Sequence, residues 1–182
     1  METIRMECAL LEIPNFNVAD YRDKTLQALR LGFDRSKEMD PFVELVVSVD
    51  PRTGAREGRH FSLVLSPHRF GDDKDKDGFA SMIRAVAQTY NAVAYMFLSE
   101  AYMVERKKPE ELEAPPSECG DRIEVLQVIF EFEETGMEMH SAKIVREGDD
   151  VGLSEWTSFK TEKGSGFGGR FTNVLPRREY LQ

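Results

Sequence analysis

The stretch V-A-Y-M-F-L-S-E-A-Y-M-V, residues 93–104, decides how this chain is read. Its one acidic or basic residue is Glu100. Strand alternation puts Val93, Tyr95, Phe97, Ala101 and Met103 on one side and Ala94, Met96, Leu98, Tyr102 and Val104 on the other. Both sets are apolar. A strand that can show neither face to water belongs at the centre of a sheet, with other elements covering both sides.

Downstream, residues 105–121 form a charged, proline-bearing connection too long for a tight hairpin. A second strongly apolar strand follows at 123–132. Thr135 and Gly136 turn it into 137–146, whose Glu138, Lys143 and Arg146 suggest an edge. After the E-G-D-D turn, 153–160, with the lone Trp156, adds a further strand.

Upstream lies the clearest helix, 77–90. Phe79, Met82, Ile83, Val86 and Tyr90 recur at helical spacing, and Asp77 is a good N-cap. Before it, 42–49 and 59–66 read as strands joined through a D-P-R-T-G turn. A first helix is expected over 20–33, capped by Asp20 and ended near Gly32. The first thirteen residues fit either a strand or a helical turn.

Two helices cannot supply the crossovers of a doubly wound sheet. The expected fold is therefore a single α+β domain over residues 1–159, with a mixed, mostly antiparallel β-sheet and two main helices packed on it.

Residues 160–182 differ in kind. Lys160, Lys163, Arg170, Arg177 and Arg178 against Glu162 and Glu179 give this segment +3, which leaves −12 on the rest of a chain whose net charge is −9. Its first half is glycine-rich, and it reads as a basic C-terminal tail that can fold back on an acidic body. The overall charge argues against a nucleic-acid partner, since phosphate binding needs a basic face. Cys8 and Cys119 make no disulfide framework, and no apolar run approaches the roughly 20 residues of a membrane span. Glu2, Glu7 and Glu12 break up the opening residues, unlike a secretory signal. The expected setting is the cytoplasm, with no membrane partner.

Four features invite a chemical reading. Asp73, Asp75 and Asp77, with Gly78, copy the opening of a calcium loop, but position 12 is Arg84 where a bidentate carboxylate is required. They stand as weak metal candidates, and the plainer reading is a solvated loop leading into a helix. G-S-G-F-G-G at 164–169 matches the dinucleotide pattern in letters only, because too few residues follow to build the βαβ unit. His60 and His68 bracket one strand, and His140 sits on the strand read as an edge. Glu100 interrupts the apolar strand. It is either a general acid/base or a carboxylate at the strand's end, paired with an arginine such as Arg122 or left in water.

No phosphate loop, zinc spacing or nucleophile motif stands in the sequence, and no cofactor is implied. The favoured expectation is a non-catalytic binding or assembly module that engages itself as a homo-oligomer, or another protein. The partner-binding candidates are Phe167, Arg170, Phe171, Arg177, Arg178 and Tyr180 in the tail. The first alternative is a metal-dependent hydrolase using Glu100, His60, His68 and the 72–77 run. The second is a nucleic-acid-associated protein using Arg52, Arg56, Arg59 and the tail.

Overall fold

The computed structural model describes residues 6–54, 58–67, 70, 72–104, 115–148, 150–161 and 169–176. The elements run β1 (Met6–Ile13), α1 (Val18–Ser36), β2 (Phe42–Val47), β3 (His60–Pro67), α2 (Asp73–Thr89), β4 (Ala92–Met103), β5 (Ile123–Phe132), β6 (Gly136–Glu147), β7 (Asp150–Leu153) and β8 (Thr157–Lys160). The strands form one eight-stranded sheet in the order β1-β3-β2-β4-β5-β6-β7, with β8 also on β6. Every pairing is antiparallel. The fold is α+β, as the sequence leads one to expect, and β4 is the central strand.

The two helices cover opposite faces. Leu29 and Phe33 of α1 pack on Ala94, Met96 and Leu98 of β4 and on Leu126, Val128, Phe130 and Phe132 of β5. Phe79, Ile83 and Ala87 of α2 pack on Val43, Leu45, Phe61, Leu63, Tyr95 and Phe97. Residues 94–98 are thus buried on both faces because a helix lies over each, whereas 99–104, expected to be buried in the same way, run out of that cover and leave Tyr102 41% exposed. One detail differs from strict alternation. The β2–β4 register shifts between Val46 and Val47, whose partners Ala94 and Ala92 leave Val93 as an extra residue in β4. This bulge turns Val93 toward the α1 face, away from Tyr95.

Several expected boundaries move, each for a local reason. Asn17, not Asp20, caps α1: its Oδ1 accepts the Asp20 N–H at 3.1 Å. The helix runs through Gly32 to a left-handed Lys37. Asp72, not Asp77, caps α2, accepting the Asp75 N–H at 2.9 Å. The D-K-D-K run is the polar first turn of the helix, where acidic side chains suit the positive end of the dipole. The opening residues form β1, which pairs with β3 along its whole length. β6 is not an edge, since β5 flanks it on one side and β7 and β8 share the other.

That shared side carries a second bulge. Ile144 faces Leu153 and Ser141 faces Thr157, so three residues, 154–156, stand opposite the two at 142–143. The stretch read as one strand over 153–160 is therefore the last residue of β7, the bulge at 154–156 and β8, whose register is displaced by one residue from that of β7.

The 169–176 segment is docked on the α2 face. Phe171 stacks on Phe97 with ring centroids 4.3 Å apart, and Val174 and Leu175 are buried. Arg84 Nη2 donates to the carbonyls of Arg170 (2.6 Å) and Thr172 (3.1 Å), and Tyr95 Oη donates to that of Phe171 (3.2 Å). Glu131 accepts the backbone N–H groups of Val174 and Leu175.

Candidate functional site

The most unusual chemistry lies on the α1 face of β6. Here alternation points Glu138 and His140 inward, and each is only 4% exposed. A buried carboxylate costs several kcal/mol unless it is paired and hydrogen-bonded. Glu138 meets three partners: Lys160 Nζ at 3.0 Å, Arg22 Nη1 of α1 at 3.5 Å and His140 Nε2 at 3.3 Å. The other imidazole nitrogen, Nδ1, lies 2.8 Å from Ser158 Oγ. Phe130 stands edge-on to the imidazole at 5.6 Å. Beside Glu138 a cleft of about 360 Å³ opens, lined by Asn17, Arg22, Thr135, Lys160 and Thr161 among others.

The electrostatics fix the protons. Burial works to raise the Glu138 carboxyl, but Lys160, Arg22 and His140 outweigh it and hold the group below the usual carboxylate range. Burial is also the main influence on His140 and lowers it; Glu138 opposes this, while Arg22 and Lys160 add to it. At neutral pH the pair is therefore a carboxylate and a neutral imidazole. A carboxylate only accepts, so Nε2 carries the imidazole proton and donates to Glu138. Nδ1 is then an acceptor, and the Ser158 hydroxyl donates to it.

The bulge at 154–156 creates this arrangement. Without it, the β7 register would continue and set Thr157 opposite His140 and Phe159 opposite Glu138. The one-residue shift instead pairs Ser158 with His140 and Lys160 with Glu138.

The residues singled out from the sequence lie elsewhere. Glu100 is exposed near the end of β4, where it accepts the Met39 N–H at 2.9 Å. Arg122, named as one arginine that could pair with it, lies over the Tyr102 ring, 4.7 Å from the centroid. His60 lies against Phe16 just before α1, the rings tilted with centroids 5.2 Å apart, whereas Met39 and Glu100 lie beyond the other end of that helix. Nineteen residues of helix separate the two sites by about 28 Å. The 72–77 run begins α2 on the opposite face, where Asp77 and Asp73 bind Arg170 at 2.5 and 3.3 Å. Asp75 belongs to the same turn. The structure brings none of these three groups together, and His68 lies outside the described residues.

Arg52 is held by Asp50 through two contacts of 3.1 Å, and Arg59 pairs with Glu12 at 3.5 Å. Of the expected partner-binding residues, Arg170 and Phe171 bind the body of the same chain. Phe167, Arg177, Arg178 and Tyr180 lie outside the described residues, as do Arg56 and all of the G-S-G-F-G-G run except Gly169.

Ser158 and the roles of Glu138 and Lys160 escaped the sequence reading. The readable signal is Glu-x-His at 138–140 and Ser-x-Lys at 158–160, each placing two polar side chains on one face of a strand. Which face opposes which depends on the bulge. Comparisons with protein-family models, curated proteins and solved structures find no match to this chain.

Proposed function

We propose that this protein is a binding and assembly module that receives a partner's strand along the outer edge of β1, the first expected partner being a second copy of the chain. The observation that supports this reading is the contrast between the two ends of the sheet. At the β7 end, α1 blocks the edge: Arg30 donates to the Leu153 and Ser154 carbonyls at 3.2 and 2.6 Å, and Lys37 donates to the Val151 carbonyl at 2.8 Å. Such capping prevents edge-to-edge pairing.

At the other end, β1 offers eight residues, and among the described residues no strand lies outside it. Leu11 of β1 is 65% exposed, the most open large apolar side chain among the described residues. An unpaired strand edge bearing an exposed apolar side chain is the usual basis of strand addition.

The metal-dependent hydrolase alternative would need Glu100, His60, His68 and the 72–77 carboxylates in one pocket, and the separation of Glu100, His60 and the 72–77 run gives it no support. Sedimentation of the full chain over a range of concentrations tests the assembly reading. A dimer that Leu11→Lys converts to a monomer is the expected result. A native chain that stays monomeric, or a dimer indifferent to Leu11→Lys, would refute it.

A further inference from the structure

We propose that Ser158 is an activated nucleophile with His140 as its general base, a site that takes carboxylic esters and forms an acyl-serine. This goes beyond the assembly reading and does not depend on it, because β8 and β1 lie toward opposite ends of the sheet.

Three observations carry the proposal. Ser158 is exposed on β8 while His140 and Glu138 are buried behind it, so the nucleophile faces incoming substrate and the base is shielded from water. The hydrogen bonds run in one direction, from Ser158 Oγ–H to His140 Nδ1 and from His140 Nε2–H to the Glu138 carboxylate. That is the ground state in which a serine can give up its proton, a nucleophile held by a base that a third group orients. Finally, the bulge at 154–156 is what sets Ser158 against His140. A regular strand would have placed Thr157 there, with its hydroxyl on a branched, less approachable carbon.

The steps balance without any reactant beyond ester and water. Ser158 Oγ bonds to the ester carbonyl carbon as its proton passes to His140 Nδ1. The imidazolium so formed keeps its Nε2–H on Glu138. Collapse of the tetrahedral adduct breaks the bond to the leaving oxygen, which takes the proton from Nδ1 and departs as an alcohol. Water then adds to the acyl carbon, gives a proton to Nδ1, and releases the acid as Oγ recovers that proton. Glu138 is a positioning residue: it fixes which nitrogen holds the proton and never touches the ester. Lys160 and Arg22 keep it ionised.

The test is labelling of the full-length protein with a fluorophosphonate, followed by intact-mass measurement and peptide mapping. One phosphonyl group on Ser158 is expected, absent in Ser158→Ala. Labelling of His140→Gln should be at least about 100-fold slower, the usual scale of general-base assistance. For the unaltered chain, the labelling rate should rise with pH through a titration below pH 6.5, the ordinary histidine value from which His140 is lowered. This readout needs no variant to fold. An unlabelled Ser158, a His140→Gln rate equal to that of the unaltered chain, or a rate that climbs only in strong alkali would overturn the proposal. None of these results depends on whether the protein is a dimer.

Discussion

Glu138 and His140 make the stability of this protein sensitive to acid in two steps. Both groups bind protons less readily in the folded chain than in the unfolded one, because both are held below their ordinary values of 4.5 and 6.5. Protons therefore favour the unfolded state. Stability from the neutral imidazole is full above pH 6.5 and is lost as pH falls below that value, where the unfolded chain's histidine takes up a proton that buried His140 resists. Stability from the Glu138 carboxylate is full above pH 4.5 and is lost as pH falls through its lower folded value. Urea midpoints measured across this range should show both steps, and His140→Gln should flatten the upper one while leaving the lower. If His140→Gln left the upper step intact, the buried imidazole would not be its source. The sequence shows a histidine two residues from a glutamate on a strand. It does not show that Arg22, 116 residues away, and Lys160 would converge on the same carboxylate, so the site was legible only as isolated polar letters.

The strongest readings from sequence concerned elements whose pattern has one solution. Residues 93–104 are apolar on both faces, which points to a central strand; 94–98 are buried on both faces there, while 99–104 extend past the helices. The helix built on Phe79, Ile83 and Val86 likewise admits one period. Boundaries were less legible because several residues compete to end an element. Asn17 and Asp20 both suit an N-cap by side-chain chemistry, as do Asp72 and Asp77, and residue type does not choose between them. A direct consequence is that Asn17→Ala should destabilise the protein by about 1 kcal/mol in chemical denaturation, the usual worth of a cap. Asp20→Ala should cost less, since its exposed pair with Lys24 at 3.7 Å is worth only tenths of a kcal/mol. The reverse ranking would contradict the assignment of the cap. Register shifts are harder still to read. A one-residue bulge leaves no mark on composition or periodicity, yet it decides which side chains of β8 face His140.

At the scale of the whole molecule, residues 169–176 contribute to the core, although the sequence sets 160–182 apart from the 1–159 domain as a basic tail. Phe171 lies among Phe70, Phe79 and Phe97, and the backbone around it is held by Arg84, Tyr95 and Glu131. The five basic residues of 160–182 give that stretch its charge, but Phe171, Val174 and Leu175 determine where 169–176 packs. Cutting the chain at Lys160 would strip apolar cover from α2 and the centre of the sheet, so loss of assembly after such a cut would report unfolding as readily as a lost contact.

The strand order has a further consequence. β1, β3 and β2 form one half of the sheet and come from the first 67 residues; β4 to β8 form the other half, and β2 against β4 is the seam. Each half carries a helix that lies largely across the strands of its neighbour, α1 over β4 and β5 and α2 over β2 and β3. The protein is thus built as two interlocking pieces, each of which leaves an apolar face bare without the other. Separately produced fragments divided between Pro67 and Asp72 should be disordered or insoluble alone and should regain native circular dichroism when mixed, a reconstitution across the seam that a self-sufficient half would make unnecessary.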